Sequence, residues 1–237
     1  MRIAIITDLH YSLAKNMECP MRAGEFACQL LDTALERLSH LSTDVLLVGG
    51  DLVNDPNDAE LLDTLAGILD KSPCPYIAIP GNHDPAPETF YRHIQKAPEF
   101  LDVNGIRILP FPEDEQTEGY NARRSEESLK RQELLSNGDF PCISFQHVPL
   151  FPPESMHIPY QYDNAEEIYA RCGDRMALTI SGHHHTGRLP LFKRQTSAVI
   201  VPALCEKNYP FALLDLDSNG HLLSYSLQYV CLTDLMA

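Results

Sequence analysis

Five short clusters of Asp, Asn and His side chains stand out in the sequence, because each of them directly follows an apolar run. They are Asp8-Leu9-His10, Gly49-Gly50-Asp51, Gly81-Asn82-His83-Asp84, Gln146-His147 and Gly182-His183-His184-His185. Carboxylate oxygens, amide oxygens and neutral imidazole nitrogens all bind metal ions in proteins. A site rich in imidazole favours Mn, Fe, Co, Ni or Zn over Mg or Ca. The clusters therefore predict metal chemistry.

The candidate ligand set contains seven residues, which are too many for one tetrahedral ion. They are Asp8, His10, Asp51, Asn82, His147, His183 and His185. Asp8 and His10 are two residues apart, and so are His183 and His185, so a strand-like backbone would point both members of each pair to one side. The number of ligands suits two ions that share a carboxylate, with water in the remaining positions.

Each cluster taken alone has a simpler interpretation. Asp51 fits a turn residue after two glycines or a helix cap. His183, His184 and His185 fit an exposed tract that binds metal adventitiously, and a single histidine such as His147 fits a surface or core position. The metal hypothesis depends on the five clusters occurring together, each after a predicted strand.

Alternating strand-like and helical patterns place these clusters at the ends of predicted strands. The strands are Ile3–Thr7, Asp44–Val48, Tyr76–Ile79, Cys142–Phe145 and Ala177–Ile180. The helices are Gly24–Leu41, Asn57–Asp70, Pro85–Lys96 and Ser125–Ser136. In parallel β-α-β units the loops at the carboxyl ends of the strands lie at one edge of the sheet, where ligand sites form. We therefore expect the five clusters to converge.

The second half of the chain is richer in strands and hairpins. Phe211–Leu216 and Leu222–Tyr229, joined by Asp217-Ser218-Asn219-Gly220, predict a closing hairpin. Val148–Tyr162 is rich in proline and predicts a long loop. The whole pattern favours an α/β class with two sheets, the first of them mixed and largely parallel, covered by helices. No linker-like Ser/Gly tract divides the chain, so we expect a single domain over residues 1–237.

The ordered set of clusters resembles the calcineurin-like metallophosphoesterases. The family pattern is Asp-x-His, Gly-Asp, Gly-Asn-His-Asp/Glu, a lone His and Gly-His-x-His, and here it is complete and in order from Asp8 to His185. The chain is similar in size to the small bacterial members that act as cyclic-nucleotide or glycerophosphodiester phosphodiesterases. The resemblance implies the αββα fold of this family, a sandwich of two β-sheets flanked by helices.

The resemblance also implies a role for each residue of the pattern. One ion would be held by Asp8, His10 and His185, the other by Asn82, His147 and His183, and Asp51 would bridge the two. His83 matches a catalytic histidine that lies near the leaving group without binding metal, and Asp84 matches the acidic residue that orients His83 or its loop. Mn, Fe or Zn would be the preferred ions, with Mg, Ni or Co as possibilities.

The implied reaction is hydrolysis of a phosphoric ester by in-line attack of a hydroxide bound at the ions. A phosphodiesterase is the expected subclass. The alternatives are a phosphomonoesterase, a nucleotide pyrophosphatase and a non-catalytic scaffold protein on the same fold; a scaffold should lack ligands, and all seven are present. Tyr11, beside His10, and His157, in the proline-rich loop, are candidate substrate contacts.

Composition narrows the expected partners and location. The 237-residue chain has 18 Lys+Arg against 33 Asp+Glu, a net charge of −15, which disfavours nucleic acid and anionic membranes as partners. We expect a small-molecule phosphate ester as substrate and leave the oligomeric state open. The apolar run Ile3–Ile6 is too short for a secretory signal, and no run approaches a membrane span. The odd number of cysteines, without a C-x-x-C pair, favours a cytoplasmic location.

Overall fold

Two β-sheets and the helices outside them make up the fold in the computed structural model, which describes residues 1–155, 158–193 and 196–231. The strands are β1 (Arg2–Ile6), β2 (Val45–Val48), β3 (Tyr76–Ala78), β4 (Leu101–Val103), β5 (Ile106–Pro110), β6 (Glu115–Gln116), β7 (Ala122–Arg123), β8 (Cys142–Phe145), β9 (Met176–Ser181), β10 (Arg188–Lys193), β11 (Thr196–Ile200), β12 (Pro210–Leu216) and β13 (Leu222–Tyr229). The α-helices are α1 (Ala27–Leu38), α2 (Leu61–Leu69), α3 (Pro87–Phe90), α4 (Glu126–Ser136) and α5 (Ala165–Cys172).

Both sheets are mixed. The first has the order β13-β12-β1-β2-β3, in which β1, β2 and β3 are parallel and the closing hairpin adds two antiparallel strands. The second has the order β10-β11-β9-β8-β5-β4, with a parallel centre from β11 to β5 and antiparallel strands at both edges. The second sheet is thus the more parallel of the two. β6 and β7 form a separate two-stranded ribbon.

Side-chain alternation along the strands explains how the two sheets pack together. In β1, Ile3 and Ile5 belong to a central apolar cluster with Ile143 and Ile180 of the second sheet. The intervening Ala4 and Ile6 belong to another cluster, which includes buried residues of α1 and α2. Because successive strand side chains point to opposite faces, each inner strand packs against the other sheet on one face and against helices on the other.

The outer face of the second sheet is covered in the same way by α4 and α5. Leu129 of α4, Ile168 and Cys172 of α5, and Met176 at the start of β9 form one buried cluster. Ser125 caps α4, since its side chain accepts a hydrogen bond from the Ser128 backbone N–H. The layers therefore run helix, sheet, sheet, helix, which confirms the predicted two-sheet sandwich flanked by helices.

Several boundaries differ from the sequence expectation. The helix predicted over Pro85–Lys96 is limited to Pro87–Phe90, and the chain then continues in turns. The helix predicted over Asn57–Asp70 begins at Leu61, because Asp55 accepts hydrogen bonds from Asn57 and the preceding residues form turns instead. α5 and β10 were not predicted. β10 contains Pro190 and lies at the edge of its sheet, which is where a strand tolerates proline.

Within the described residues, every helix is too short or too polar to traverse a bilayer. Six cysteines, Cys19, Cys28, Cys74, Cys142, Cys172 and Cys205, are present as thiols.

Candidate dinuclear metal centre

The structure brings all seven candidate ligands together at the carboxyl ends of the strands. Asp8 and His10 follow β1, Asp51 follows β2, and Asn82 follows β3 in the first sheet. His147 follows β8, and His183 and His185 follow β9 in the second sheet. The centre thus lies where the ends of the two sheets meet.

One group of ligands, here called the first half, consists of Asp8, His10 and His185 and includes the shared Asp51. Its ligand atoms all lie within 4.8 Å of one another. His10 Nε2 lies 3.1 Å from His185 Nε2 and 3.6 Å from Asp51 Oδ2. His185 Nε2 lies 3.4 Å from Asp8 Oδ1.

The second half consists of Asn82, His147 and His183 and again includes Asp51. The carboxylate and the two imidazoles have ligand atoms within 4.8 Å of one another. His147 Nε2 lies 3.1 Å from His183 Nδ1, 3.1 Å from Asn82 Oδ1 and 3.4 Å from Asp51 Oδ2. Asp51 therefore belongs to both halves, as expected of a residue that bridges two ions.

Four of the seven candidate ligands lie on left-handed rather than strand-like backbone, so the sequence argument about the spacing of Asp8 and His10 and of His183 and His185 was wrong in its local geometry. Asp8, His10, Asp51 and His183 have φ values of 55°, 46°, 53° and 65°. Non-glycine residues rarely adopt this left-handed conformation, and each such residue costs about 1–3 kcal/mol. The tight turns, rather than the alternation of side chains along a strand, direct these side chains toward the centre.

Two glycines allow the loops to approach this closely. A Cβ at Gly81 would overlap Asp51 and lie 2.8 Å from His147 Cε1. A Cβ at Gly182 would overlap the Thr7 side chain and lie 2.6 Å from Asp8 Oδ2. Both positions exclude a side chain because ligand-bearing loops pass directly over them.

Hydrogen bonds to the far sides of the ligands fix their orientation. His185 Nδ1 lies 2.5 Å from Glu206 Oε1, and His147 Nδ1 donates to the Gly49 carbonyl at 2.7 Å. Both rings therefore present Nε2 to the centre. Asp8 Oδ2 accepts hydrogen bonds from the Thr7 hydroxyl at 2.6 Å and from the His183 backbone N–H at 3.1 Å.

Burial and the two carboxylates set the protonation of the histidines. Burial lowers the pKa of His10 to about 3, and burial together with the charge of His147 lowers that of His183 to about 4. Burial also disfavours a proton on His147 and His185, but nearby carboxylates raise their pKa values to about 9 and about 10. A divalent cation competes with those protons for the same nitrogen atoms.

The same balance keeps the carboxylates ionised. Burial acts to raise the pKa of Asp8, but the His185 hydrogen bond and the charges of His147 and His185 lower it to about 2. For Asp51, burial acts upward, and the charge and hydrogen bond of His147 hold its pKa well below the usual value. Two ionised carboxylates thus face the histidine nitrogens at the centre.

The donor set fits two divalent ions. Asp8 Oδ1 is buried, and apart from the 3.4 Å contact with His185 Nε2 it has no polar partner among the described residues. His10 Nε2 faces His185 Nε2, and His147 Nε2 faces His183 Nδ1, each pair at 3.1 Å. In each pair one ring must point its N–H at the lone pair of the other, and a divalent cation could take the place of that hydrogen and bind both nitrogen atoms. Nitrogen and oxygen donors in two groups that share a carboxylate match a dinuclear site.

His83 lies in the cleft beside the first half. Its ring contacts that of His10 edge-on, with centroids 4.7 Å apart. Its Nδ1 lies 2.9 Å from the Asn54 carbonyl oxygen, and its backbone N–H donates to Asp51 Oδ1 at 2.8 Å. The carbonyl fixes the hydrogen on Nδ1, so Nε2 is the atom that can gain or lose a proton.

Asp84 is buried beneath the loop that carries Asn82 and His83. It accepts backbone N–H bonds from Leu52, Val53 and Gly81 at 2.8–2.9 Å. Burial and the charge of Asp51 raise its pKa to about 7, while the three N–H donors act in the opposite direction. The carboxyl group touches backbone and not the cleft, which makes Asp84 a positioning residue that ties the loop after β3 to the loop after β2.

Of the two candidate substrate contacts, Tyr11 and His157, only Tyr11 lies within the described residues. Tyr11 packs against the apolar cluster around α1, and its hydroxyl is hydrogen-bonded to the Cys28 thiol. Its side chain is thereby engaged on the helix side of the first sheet. His157 lies outside the described residues.

The cleft at the centre has a volume of about 690 Å³ and is lined by polar and aromatic side chains that sequence reasoning missed. Arg22 lies 3.3 Å from His10 Nδ1, and the Tyr160 ring packs edge-on against His183 at 4.8 Å. Glu206, the partner of His185, belongs to the same group of missed residues. None of these three lies in a motif. Tyr160 lies in the proline-rich loop that also contains the candidate contact His157, and no signal in the sequence connects Arg22 or Glu206 with the five clusters.

Comparisons with known proteins agree with this geometry. The family model described as calcineurin-like phosphoesterase matches residues 1–187. No curated protein sequence matches the chain. A dimetal phosphatase from Danio rerio superimposes with a TM-score of 0.74 at 15% identity, covering 90% of this chain and 92% of that one.

Two further solved structures extend the comparison. The protein TT1561 of Thermus thermophilus has a TM-score of 0.66 at 15% identity, covering 96% of this chain and 98% of the other. The purple acid phosphatase PPD1 from yellow lupin seeds has a TM-score of 0.63 at 14% identity, covering all of this chain and 55% of the other. At these identities the structural likeness concerns the fold, and the family assignment comes from the matched sequence model.

Proposed function

The chain belongs to the calcineurin-like phosphoesterase family and is a metal-dependent phosphohydrolase, and from this premise we propose that it is a phosphodiesterase acting on a small-molecule ester. The observation that carries the proposal is the convergence of the seven ligands into two groups sharing Asp51. Bound at these groups, two divalent ions would activate a water molecule and offset the charge that develops on the phosphoryl oxygens. We propose Mn, Fe or Zn as the ions because imidazole supplies four of the seven ligands.

The charge of the cleft supports a diester rather than a monoester. Apart from the candidate ligands and other histidines, the charged residues lining it are Glu18, Arg22 and Asp55. These sum to one negative charge, which opposes the second charge of a terminal phosphate more than the single charge of a diester. The volume of about 690 Å³ accommodates a substituent on both sides of the phosphorus atom.

His83 supplies the proton that the leaving oxygen requires. Because Nδ1 is committed to the Asn54 carbonyl, Nε2 carries the exchangeable proton. In the protonated state this ring donates to the leaving oxygen, or stabilises the charge on phosphorus during in-line displacement. Asp84 keeps the His83 loop in place through its three backbone hydrogen bonds.

The proposed substrate is a small phosphate ester in the cytoplasm. The net charge of −15 opposes nucleic acid and anionic lipid as partners, and a reducing compartment suits the cysteine thiols.

The test uses metal-stripped protein reloaded separately with Mn, Fe, Zn, Co, Ni or Mg. We expect bis(p-nitrophenyl) phosphate to be hydrolysed with a higher kcat/KM than p-nitrophenyl phosphate, and only after reloading. A higher kcat/KM for the monoester would make the protein a phosphomonoesterase. An absence of hydrolysis by protein that holds two ions would identify it as a binding protein on this fold.

The role of His83 is tested in the same assay. His83→Ala should lower kcat by about 10²- to 10⁴-fold, the usual contribution of general acid catalysis, with the metal content unchanged. His40→Ala, an exposed histidine after α1, is the matched control and should leave kcat unchanged. Near-wild-type turnover of the His83 variant would contradict the assignment.

A further inference from the structure

Arg22 is the one arginine or lysine that lines the cleft of the metal centre among the described residues. It is half-buried, and its Nη1 lies 3.3 Å from His10 Nδ1 and 3.4 Å from Asn54 Oδ1. No carboxylate of the described residues has an oxygen within 4 Å of its guanidinium, in contrast to Arg107, Arg124 and Arg171. An arginine without an anionic partner at a cationic centre needs an explanation.

The backbone around Arg22 is fixed by the loops that carry the ligands. The Arg22 N–H donates to the Cys19 carbonyl, and the next residue, Ala23, donates to the Cys205 carbonyl at 2.7 Å. Cys205 directly precedes Glu206, the partner of His185. On the other side, Gly24 is packed so tightly against the His10 carbonyl that a Cβ there would overlap it. Arg22 is therefore held in position relative to the first half.

The contact with His10 is compatible with only one form of that ring. A guanidinium can only donate, so the contact requires a lone pair on His10 Nδ1. When His10 Nε2 gives its lone pair to a cation, the hydrogen of the neutral ring must be on Nδ1, which can then no longer accept. Arg22 would lose that partner if the centre held its ions, and its donors would then be available to another acceptor in the cleft.

We propose that Arg22 is a phosphate-binding residue, whose guanidinium donates to a non-bridging oxygen of the phosphoryl group at the metal centre. This inference rests on the proposed function, since it assigns the ligand of the same site. Planar guanidinium groups form paired, charge-assisted hydrogen bonds with phosphate oxygens. The positive charge also offsets one of the two negative charges of Glu18 and Asp55 at the cleft, which reduces the repulsion of an anion by a protein of net charge −15.

The test measures binding of inorganic phosphate to manganese-loaded protein by calorimetry, so it does not depend on turnover. Arg22→Gln should bind phosphate about 10- to 100-fold more weakly, as expected for the loss of charge-assisted hydrogen bonds. Its manganese content should remain at two ions per chain. Arg22→Lys should weaken phosphate binding by about tenfold, because the ammonium keeps the charge without the paired donors. If Arg22→Gln does not fold, the Arg22→Lys measurement alone tests the proposal.

Arg188→Gln is the matched control. Arg188 is exposed and outside the cleft lining, yet its charge acts through space on His184, which lines the cleft. Removing it should change phosphate affinity by less than about twofold, because exposed charges are screened by solvent.

Three results would overturn the inference. The first is phosphate affinity of Arg22→Gln within twofold of the wild type. The second is an equal loss in Arg22→Gln and Arg188→Gln, which would indicate a general field instead of a contact. The third is loss of manganese from Arg22→Gln, which would show that Arg22 acts through His10. The proposed function fails separately, if loaded wild-type protein binds phosphate in an Arg22-dependent way but hydrolyses no ester.

Discussion

The two halves of the metal centre use similar ligands but differ in charge. The first half has its own carboxylate, Asp8, and a second carboxylate, Glu206, behind His185 at 2.5 Å. The second half has a neutral amide, Asn82, and a peptide carbonyl, that of Gly49, behind His147 at 2.7 Å. His185 and His147 are oriented in the same way, each with Nε2 toward the centre, whereas His10 presents Nε2 and His183 presents Nδ1. The halves therefore differ in charge and in the ring nitrogen of one histidine, and the difference in charge bears on cation binding.

This difference predicts unequal binding of the two ions. Beyond the shared Asp51, the first half contributes two negative charges and the second contributes none, and Arg22 beside His10 offsets only one of the two. Affinity for a divalent cation rises with the number of charged ligands and falls with the flexibility of the site. We expect the first half to hold its ion more tightly and the second half to exchange its ion with solvent.

The largest effect should come from the residue that the halves share. Asp51→Asn removes one charge from both ligand groups at nearly constant volume, so both ions should bind weakly, and kcat/KM should fall by about 10³-fold or more. Metal content by mass spectrometry and turnover of the diester measure the two effects together.

Asp55→Asn is the control for Asp51→Asn, because Asp55 lines the cleft but belongs to neither ligand group. It should keep two ions. Retention of two tightly bound ions by Asp51→Asn would break the idea of a bridging carboxylate, whatever happens to turnover.

Sequence reasoning predicted that the seven candidate ligands converge, because each follows a strand whose apolar pattern is clear. β8 was predicted with the bounds that the structure has, Cys142–Phe145. The same reasoning missed Glu206 and Arg22, although they distinguish the first half from the second. These two lie in irregular segments that meet only through tertiary contacts such as the Ala23 N–H bond to the Cys205 carbonyl, and a single sequence holds no local pattern for such a contact.

The left-handed turns at the ligands were missed for a related reason. Positive φ is predicted from glycine, whereas Asp8 and His10 adopt it without glycine. Local propensity argues against this backbone, and only the surrounding packing makes it stable. The fold could thus be predicted from periodic patterns, whereas the directions in which the candidate ligand side chains point could not.

A smaller effect on metal affinity is expected from a substitution of Glu206, the hydrogen-bond partner of His185 in the first half. Glu206→Gln keeps a hydrogen-bond acceptor for His185 Nδ1 but removes its charge, so the first ion should bind about 10- to 100-fold more weakly, as for other residues behind metal ligands. Binding of the second ion should stay within about threefold of wild type, since such interactions decay with distance in solvent-screened protein.

Calorimetric titration of metal-stripped protein separates the two binding steps of this variant. Glu18→Gln removes the same charge from the cleft without touching a ligand and should alter neither step. Equal weakening of both steps by Glu206→Gln would mean that the carboxylate does not distinguish the halves.

The smallest and most specific effect should come from making the halves alike. Asn82→Asp replaces the amide oxygen near His147 Nε2 with a carboxylate oxygen, so the second ion should bind about tenfold more tightly through the added charge. The ratio between the dissociation constants of the two metal-binding steps should become smaller accordingly.

Asn16→Asp adds the same charge elsewhere in the cleft and should leave the ratio between the two dissociation constants unchanged. If Asn82→Asp leaves the second step unchanged, ligand charge is not what separates the halves. If both variants reduce the difference in affinity between the two steps equally, the electrostatic potential of the cleft determines which ion binds first. The identity of the residue at position 82 would then have no separate effect.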